Sequence, residues 1–191
     1  NKANGKKEII VTGMHRSGTS AFTNLLMHNN IDMGPAKDAN LESRLYSYDL
    51  SFFLNFLGAT WDMPFQIRRK SNSIYKHAAD LFIKKIESRM RFHQKITFKP
   101  FIGFKNPIST LLIPELSCIK NSVIINIDRD VDEIVSSLMR RKPRARLSLF
   151  PGHYGFGMEV DDESRMFELA EFYKKVIDEN RQHISLSITY D

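Results

Sequence analysis

Three short segments hold residue types that bind and process a phosphate ester. The first is Gly13-Met-His-Arg-Ser-Gly-Thr-Ser20, with two glycines, three hydroxyls and one cation in eight residues. Between a strand and a helix, such a loop wraps backbone N–H groups around a phosphate and aims a helix N-terminus at it. Its end glycines have the spacing of GxxxxGK[ST], but Thr19 stands in the slot of the lysine that reaches the β- and γ-phosphates. The one cation is Arg16, ahead of the second glycine. The spacing therefore predicts an anion cradle built from Gly13, His15, Arg16, Ser17, Gly18, Thr19 and Ser20, without the triphosphate lysine. The plainer alternative is a strand–helix turn that bends at Gly13 and uses Ser17 as an N-cap.

The second segment runs from Ile127-Asp-Arg129 to Ser137. Arg129 follows a hydrophobic run, so it falls at a strand's carboxyl end, where open α/β sheets bind ligands. Ser137 lies two turns into the next helix, on the side a phosphate held by Arg129 could share. Asp128 ends the same strand as a metal-holding aspartate would, which keeps a Mg²⁺-dependent small-molecule kinase in view. The third is Gly103-Phe-Lys-Asn-Pro107, where Lys105 leaves a strand into a proline turn. Alone, each of these residues is an ordinary surface group.

The elements that must position them follow from hydrophobic period and punctuation. Glu8–Gly13 and Ser122–Ile127 read as buried parallel strands. Ser17–Asn30, Leu41–Leu57 and Ser73–Phe92 read as helices, the second stopped by Gly58. Thr97–Lys105 reads as extended despite Pro100. Asp130 caps the next helix, with Glu133 placed for a capping box; Val131, Ile134, Val135 and Leu138 share its apolar face. Arg140–Arg146 is basic, and a loop follows to Asp162. Glu163–Arg181 is a helix and His183–Tyr190 a final strand. Strands alternating with helices predict an α/β fold with a parallel sheet flanked by helices, of the P-loop nucleotide-binding type.

Composition narrows the field. The 191 residues carry 28 Lys and Arg against 22 Asp and Glu, a net charge of +6 that suits an anionic ligand. One cysteine excludes a disulfide scaffold. No apolar run nears the ~20 residues of a membrane span, and no secretory signal is visible, so a cytoplasmic protein is expected. The basic residues lack interleaved aromatics, which argues against nucleic acid as partner. His28, His77, His93, His153 and His183 show no ligand spacing, so no metal site is expected. Nothing in the chain sets its oligomeric state.

Taken together and in this order, the three segments resemble the sulfotransferases that use 3′-phosphoadenylyl sulfate (PAPS). In that family a Lys or Arg precedes the Ser-Gly-Thr of the 5′-phosphosulfate loop, which is the place of Arg16. Arg129 and Ser137, eight residues apart, are similar to its 3′-phosphate pair, although Val131 replaces the usual proline. Lys105 falls where glycan and bacterial members carry a catalytic lysine in a Lys-Asp-Pro or Lys-Ser-Pro turn, with Ile108 replacing the arginine that often follows. Asn40-Leu-Glu42 and Leu57-Gly-Ala-Thr-Trp-Asp62 resemble the bacterial branch.

The resemblance runs from about Ile9 onward. It implies one sulfotransferase-like domain over residues 1–191 that lacks its C-terminal segment, which in the family lies over the 3′-phosphate and adenine. It further implies PAPS as donor, adenosine 3′,5′-bisphosphate (PAP) as product, and a small-molecule or glycan acceptor. Arg16 and Lys105 would offset charge on the leaving phosphate, and Glu42 would be the base. The alternative for Glu42 is a helix-start glutamate favoured by the dipole. Asp62 is the substitute base, and Trp61 is either acceptor-pocket wall or core. His15 is placed in the cradle without a chemical role. A non-catalytic nucleotide-binding protein is the remaining alternative.

Overall fold

The computed structural model describes residues 8–69, 72–140 and 162–190. Apart from Arg140, the basic run and the loop expected after it lie outside the described residues.

Four parallel strands form one sheet in the order β2-β1-β3-β4: β1 is Glu8–Thr12, β2 Ile102–Lys105, β3 Ser122–Asp128 and β4 Leu186–Thr189. Parallel pairing needs a crossover between neighbours, and the helices that supply it cover the sheet. Alternation along β1 and β3 splits the core between the two faces. Ile10 and Ile124 join a large cluster with the helices of one face. Ile9, Val11, Ile125 and Ile127 pack against Phe22, Leu26 and Met27 of α1 (Thr19–His28) on the other. The register sets Val11 opposite Lys105 and Thr12 opposite Asn126. The carboxyl ends of β1, β2 and β3 therefore reach one edge together, which brings the loop after β1, Lys105 and Arg129 to a common place.

The elements differ from expectation where local geometry overrides period. α1 begins after Gly18, whose φ of 95° only glycine adopts freely, and Ser17 is not its cap. The helix expected from Leu41 starts at Arg44, as α2 (Arg44–Phe56), because Leu41 sits at φ 64°. α3 (Ser73–Thr97) overruns its expected end at Phe92 and takes Thr97 from the segment read as extended. Phe98, at φ 52°, stops it. Two one-turn helices, α4 (Ile108–Leu111) and α5 (Ile113–Leu116), follow Pro107 and were not expected; four residues show no helical period. Asp130 does cap α6 (Val131–Met139) through the Asp132 N–H. Glu133 pairs with Arg129 at 2.6 Å, so the second half of the capping box is not made. α7 (Glu163–Glu179) packs on α6 and α4.

His93 has a structural explanation. It is fully buried, its Nε2–H lies on Asp32 Oδ1 at 3.1 Å, and its Nδ1 accepts from the Tyr46 hydroxyl at 2.9 Å. Burial pushes the imidazole pKa down against the pull of Asp32.

Glu8 carries a pH-dependent cost. Burial and then the Glu87 carboxylate raise its pKa from 4.5 to about 7, opposed by Arg91. Since the folded-state value lies above the unfolded one, the folded chain binds the extra proton, and stability falls as pH rises from 4.5 towards about 7. Glu8→Gln removes that loss. Thermal melts at pH 8 are expected to show the variant about 1 kcal/mol more stable, after allowance for solvent screening of a half-exposed group, with no gain at pH 4.

Candidate active site

The loop after β1 is shaped by backbone that side chains tolerate poorly. Gly13, at φ 137°, donates its N–H to Thr110 Oγ1 at 2.9 Å, and a Cβ there would meet the Ile127 carbonyl at 2.4 Å. A Cβ on Gly18 would meet the Tyr190 ring at 2.6 Å. Arg16 itself adopts φ 73°. The first N–H groups of α1 have no intrahelical acceptor, the arrangement by which helix N-termini in general receive anions.

Above the loop lies a cavity of about 650 Å³. Of the residues singled out from sequence, His15, Arg16, Gly18, Thr19, Ser20, Glu42, Lys105, Arg129 and Ser137 all line it. Gly13 and Ser17 do not; they hold the loop's shape from beneath. Ser17 is buried, and its hydroxyl has no hydrogen-bond partner among the described residues.

One wall is cationic. Arg16 Nε donates to Ser137 Oγ at 2.8 Å, and Arg129 Nη1 donates to the Arg16 carbonyl at 3.2 Å. The Arg129 guanidinium also lies 5.5 Å from the centre of the Tyr190 ring, a cation–π contact. Because Ser137 accepts from Arg16, its own O–H remains a donor for a ligand oxygen. Two cations and a hydroxyl thus stand together beside the N-terminus of α1, next to the loop.

The other wall pairs a cation with a carboxylate. Lys105 is 2% exposed, and its Nζ donates to the Asn40 carbonyl at 2.9 Å and to Glu42 Oε1 at 3.2 Å. Burial pushes its pKa below the ordinary lysine value of 10.5, with Glu42 and then Asp38 pulling it back. The turn bearing Glu42 is organised by Asp38, whose Oδ1 accepts from the N–H groups of Asn40 and Glu42. Ser20 Oγ also donates to the Asn40 carbonyl, at 3.0 Å. A phosphate role for the Ser20 hydroxyl therefore needs that bond to open, whereas Thr19 is placed in the cavity wall without it.

Two expectations change. Asp62 is buried, accepts from Thr60 Oγ1 at 2.7 Å and does not line the cavity, so it is no substitute base. Trp61 does both things offered for it: it packs on the core and lines the cavity, with its ring 4.5 Å from that of His15. Asp128 lines a small crevice behind the loop with Met14, Ser17 and Tyr173 and does not line the main cavity, although its neighbour Arg129 lines both. Sequence reasoning missed Tyr190 and Asp38. The signal for Tyr190 is the β3–β4 ladder, which its N–H extends to the Asp128 carbonyl. Asp38 offers only the Asp-x-Asn spacing of a turn.

Among the described residues, no cluster of His, Cys, Asp and Glu could hold a metal ion, and no helix is long and apolar enough to cross a membrane.

Neither a family model nor a curated protein matches the chain. Solved structures do. TT1252 from Thermus thermophilus aligns over 97% of this chain and 88% of its own, at TM-score 0.50 and 12% identity. Shikimate kinase from Bacteroides thetaiotaomicron aligns over 96% and 86%, at TM-score 0.46 and 10% identity. Shikimate kinase from Acinetobacter baumannii, in complex with shikimate, aligns over 98% and 85%, at TM-score 0.45 and 11% identity. Likeness at such identities concerns fold alone, and the chain has an α/β fold with a parallel sheet flanked by helices.

Proposed function

We propose that the chain is a sulfotransferase that moves a sulfuryl group from PAPS to a hydroxyl or amine. The observation that carries this reading is the group that would form a second anion subsite: Arg16, Arg129 and Ser137 joined by hydrogen bonds beside the phosphate loop. A 3′-phosphate is what distinguishes PAPS from ATP, and it needs such a subsite. At Gly13 and Gly18 the missing Cβ lets the Ile127 carbonyl and the Tyr190 ring close on the loop, which fixes its shape for an anion.

Sulfuryl transfer is an in-line displacement: the acceptor oxygen or nitrogen bonds to sulfur as the bond from sulfur to the 5′-phosphate oxygen breaks. Charge grows on that departing oxygen, and by analogy with phosphoryl transfer the protein's work is positioning and electrostatic stabilisation. Lys105, Arg16 and the amides opening α1 are the donors suited to it. Of the two carboxylates lining the cavity, Asp38 is engaged by the N–H groups of Asn40 and Glu42, which leaves Glu42 to take the acceptor's proton. The contact of Glu42 with Lys105 Nζ at 3.2 Å aims it.

A second reading is a metal-dependent kinase of a small molecule. Asp128, closing β3, is the carboxylate such an enzyme would use; Thr19 in the lysine slot and the position of Asp128 behind the loop oppose it.

Thermal-shift titration with PAP, ADP and ATP, each with and without Mg²⁺, separates the two. At a hundredfold excess over Kd a ligand selective for the folded state adds about 2.7 kcal/mol, or roughly 5–10 °C for a domain of this size. A metal-independent shift with PAP well above ADP is expected. A shift with ATP only in the presence of Mg²⁺, and none with PAP, would replace the sulfotransferase by the kinase. PAP binding without turnover on any acceptor would leave a non-catalytic nucleotide-binding protein.

A further inference from the structure

A surface helix should turn its polar side outward, yet α2 exposes a row of large aromatics: Tyr48 is 57% exposed, Phe52 66% and Phe56 47%. They recur every four residues and so follow one another along the helix. The rings of Tyr48 and Phe52 lie within 17° of parallel with centres 6.4 Å apart, and Phe56 stacks on the buried Phe53 at 6.0 Å. The row is thus held by packing and presents ring surface outward. Exposed apolar tracks of this kind mark sites of contact.

Its ends define what the contact is. Tyr48 lines the candidate active cavity. Phe56 lines a second cavity of about 390 Å³ with Arg68, Ile74 and Tyr75, where Ile74 is 68% exposed. From Tyr48 to Phe56 the helix rises about 12 Å. One apolar track therefore leaves the reacting centre and ends in a separate hollow. The phenyl rings of Phe52 and Phe56 and the side chain of Ile74 can make no conventional hydrogen bond, so they recognise apolar surface.

Resting on the sulfotransferase reading, we propose that the acceptor is amphipathic: a polar head carries its nucleophile to Lys105 and Glu42, and an alkyl or aryl arm lies along Tyr48, Phe52 and Phe56 into the second cavity. A second copy of the chain is a poorer occupant, because one file of three rings falls far short of the ~800 Å² per partner of a stable interface.

The sequence holds a single tryptophan, Trp61, and it lines the active cavity, so its fluorescence reports binding there. The probes are hexyl, octyl and decyl glucosides below their micelle concentrations, titrated into the full chain with saturating PAP. Binding is expected to tighten about two- to fourfold per added methylene, as apolar surface leaves water. Phe52→Asn with Phe56→Asn should flatten that dependence while the PAP thermal shift stays unchanged. Phe52→Leu, which keeps the surface apolar, should retain it.

Affinity independent of chain length, or a dependence that survives in the double variant, would overturn the proposal. So would oligosaccharides binding where alkyl glucosides do not. Binding to phosphatidylcholine vesicles that needs Phe52, without length dependence for monomeric probes, would assign the row to a bilayer. A dimer dissolved by Phe52→Asn would assign it to self-association. Loss of the length dependence with PAP binding intact removes this inference alone; absence of PAP binding with the dependence intact removes the sulfotransferase reading instead.

Discussion

Lys105→Met is expected to lower the rate of sulfuryl transfer by two to three orders of magnitude while PAP still shifts the melting midpoint by nearly the wild-type amount. Lys105 is the one ammonium among the described residues that the sheet's edge delivers, fully buried, into the cavity wall opposite Arg16 and Arg129. A preorganised donor aimed at developing charge in a water-poor site is worth about 10²–10³ in kcat. Much of that interaction is absent in the ground state, so affinity for PAP should move little. Methionine keeps the length and apolar stem, which limits collapse of the wall. The pH profile gives a second check. Burial depresses the Lys105 pKa, so if the ammonium is the working form, the rate should fall on the alkaline side below the ordinary lysine range. Single-turnover rates at saturating PAPS, across pH, read both. A loss of less than about threefold would remove Lys105 from the chemistry.

What the sequence made legible was the part of the site fixed by strands. β1 and β3 are continuous β-branched runs, so their carboxyl ends, and with them the loop and Arg129, could be set at one edge before any coordinates. Lys105 came with them through the glycine-bearing strand that precedes it. The loop from Asp32 to Ser43 was illegible, because its order comes from contacts with other parts of the chain. Asp38 folds the turn onto its own N–H groups, and Lys105 and Ser20, distant in sequence, fasten its Asn40 carbonyl. No period announces such a segment. Glu42 was reached through a likeness, and its meeting with Lys105 emerges only in three dimensions. Tyr190 was hidden for a related reason: β4 is a short, exposed edge strand, and only its register with β3 carries that ring over Gly18.

The second large effect is on selectivity. Arg129→Ala should weaken PAP binding by about 10- to 100-fold and leave ADP within a few-fold, because a hydrogen bond to a charged partner is worth about 1.5–3 kcal/mol and ADP has no 3′-phosphate to lose it. Ser137→Ala should cost less, since it removes one neutral donor and frees Arg16 Nε to seek another acceptor. The two changes should not add: Arg129, Arg16 and Ser137 form one chain of hydrogen bonds, and neighbours of that kind couple. Glu133 supplies the control. It pairs with Arg129 at 2.6 Å from an exposed position, so Glu133→Gln should leave PAP affinity at or slightly above wild type by removing a competing carboxylate. Calorimetric titration of PAP and ADP into wild type, the three single variants and the Arg129→Ala/Ser137→Ala double variant reads the whole pattern. In a kinase the subsite beside the loop would have no such preference to lose, and Arg129→Ala would weaken ADP and PAP alike. Equal losses for the two nucleotides would therefore end the case for a 3′-phosphate site, and with it the main support for PAPS as the donor.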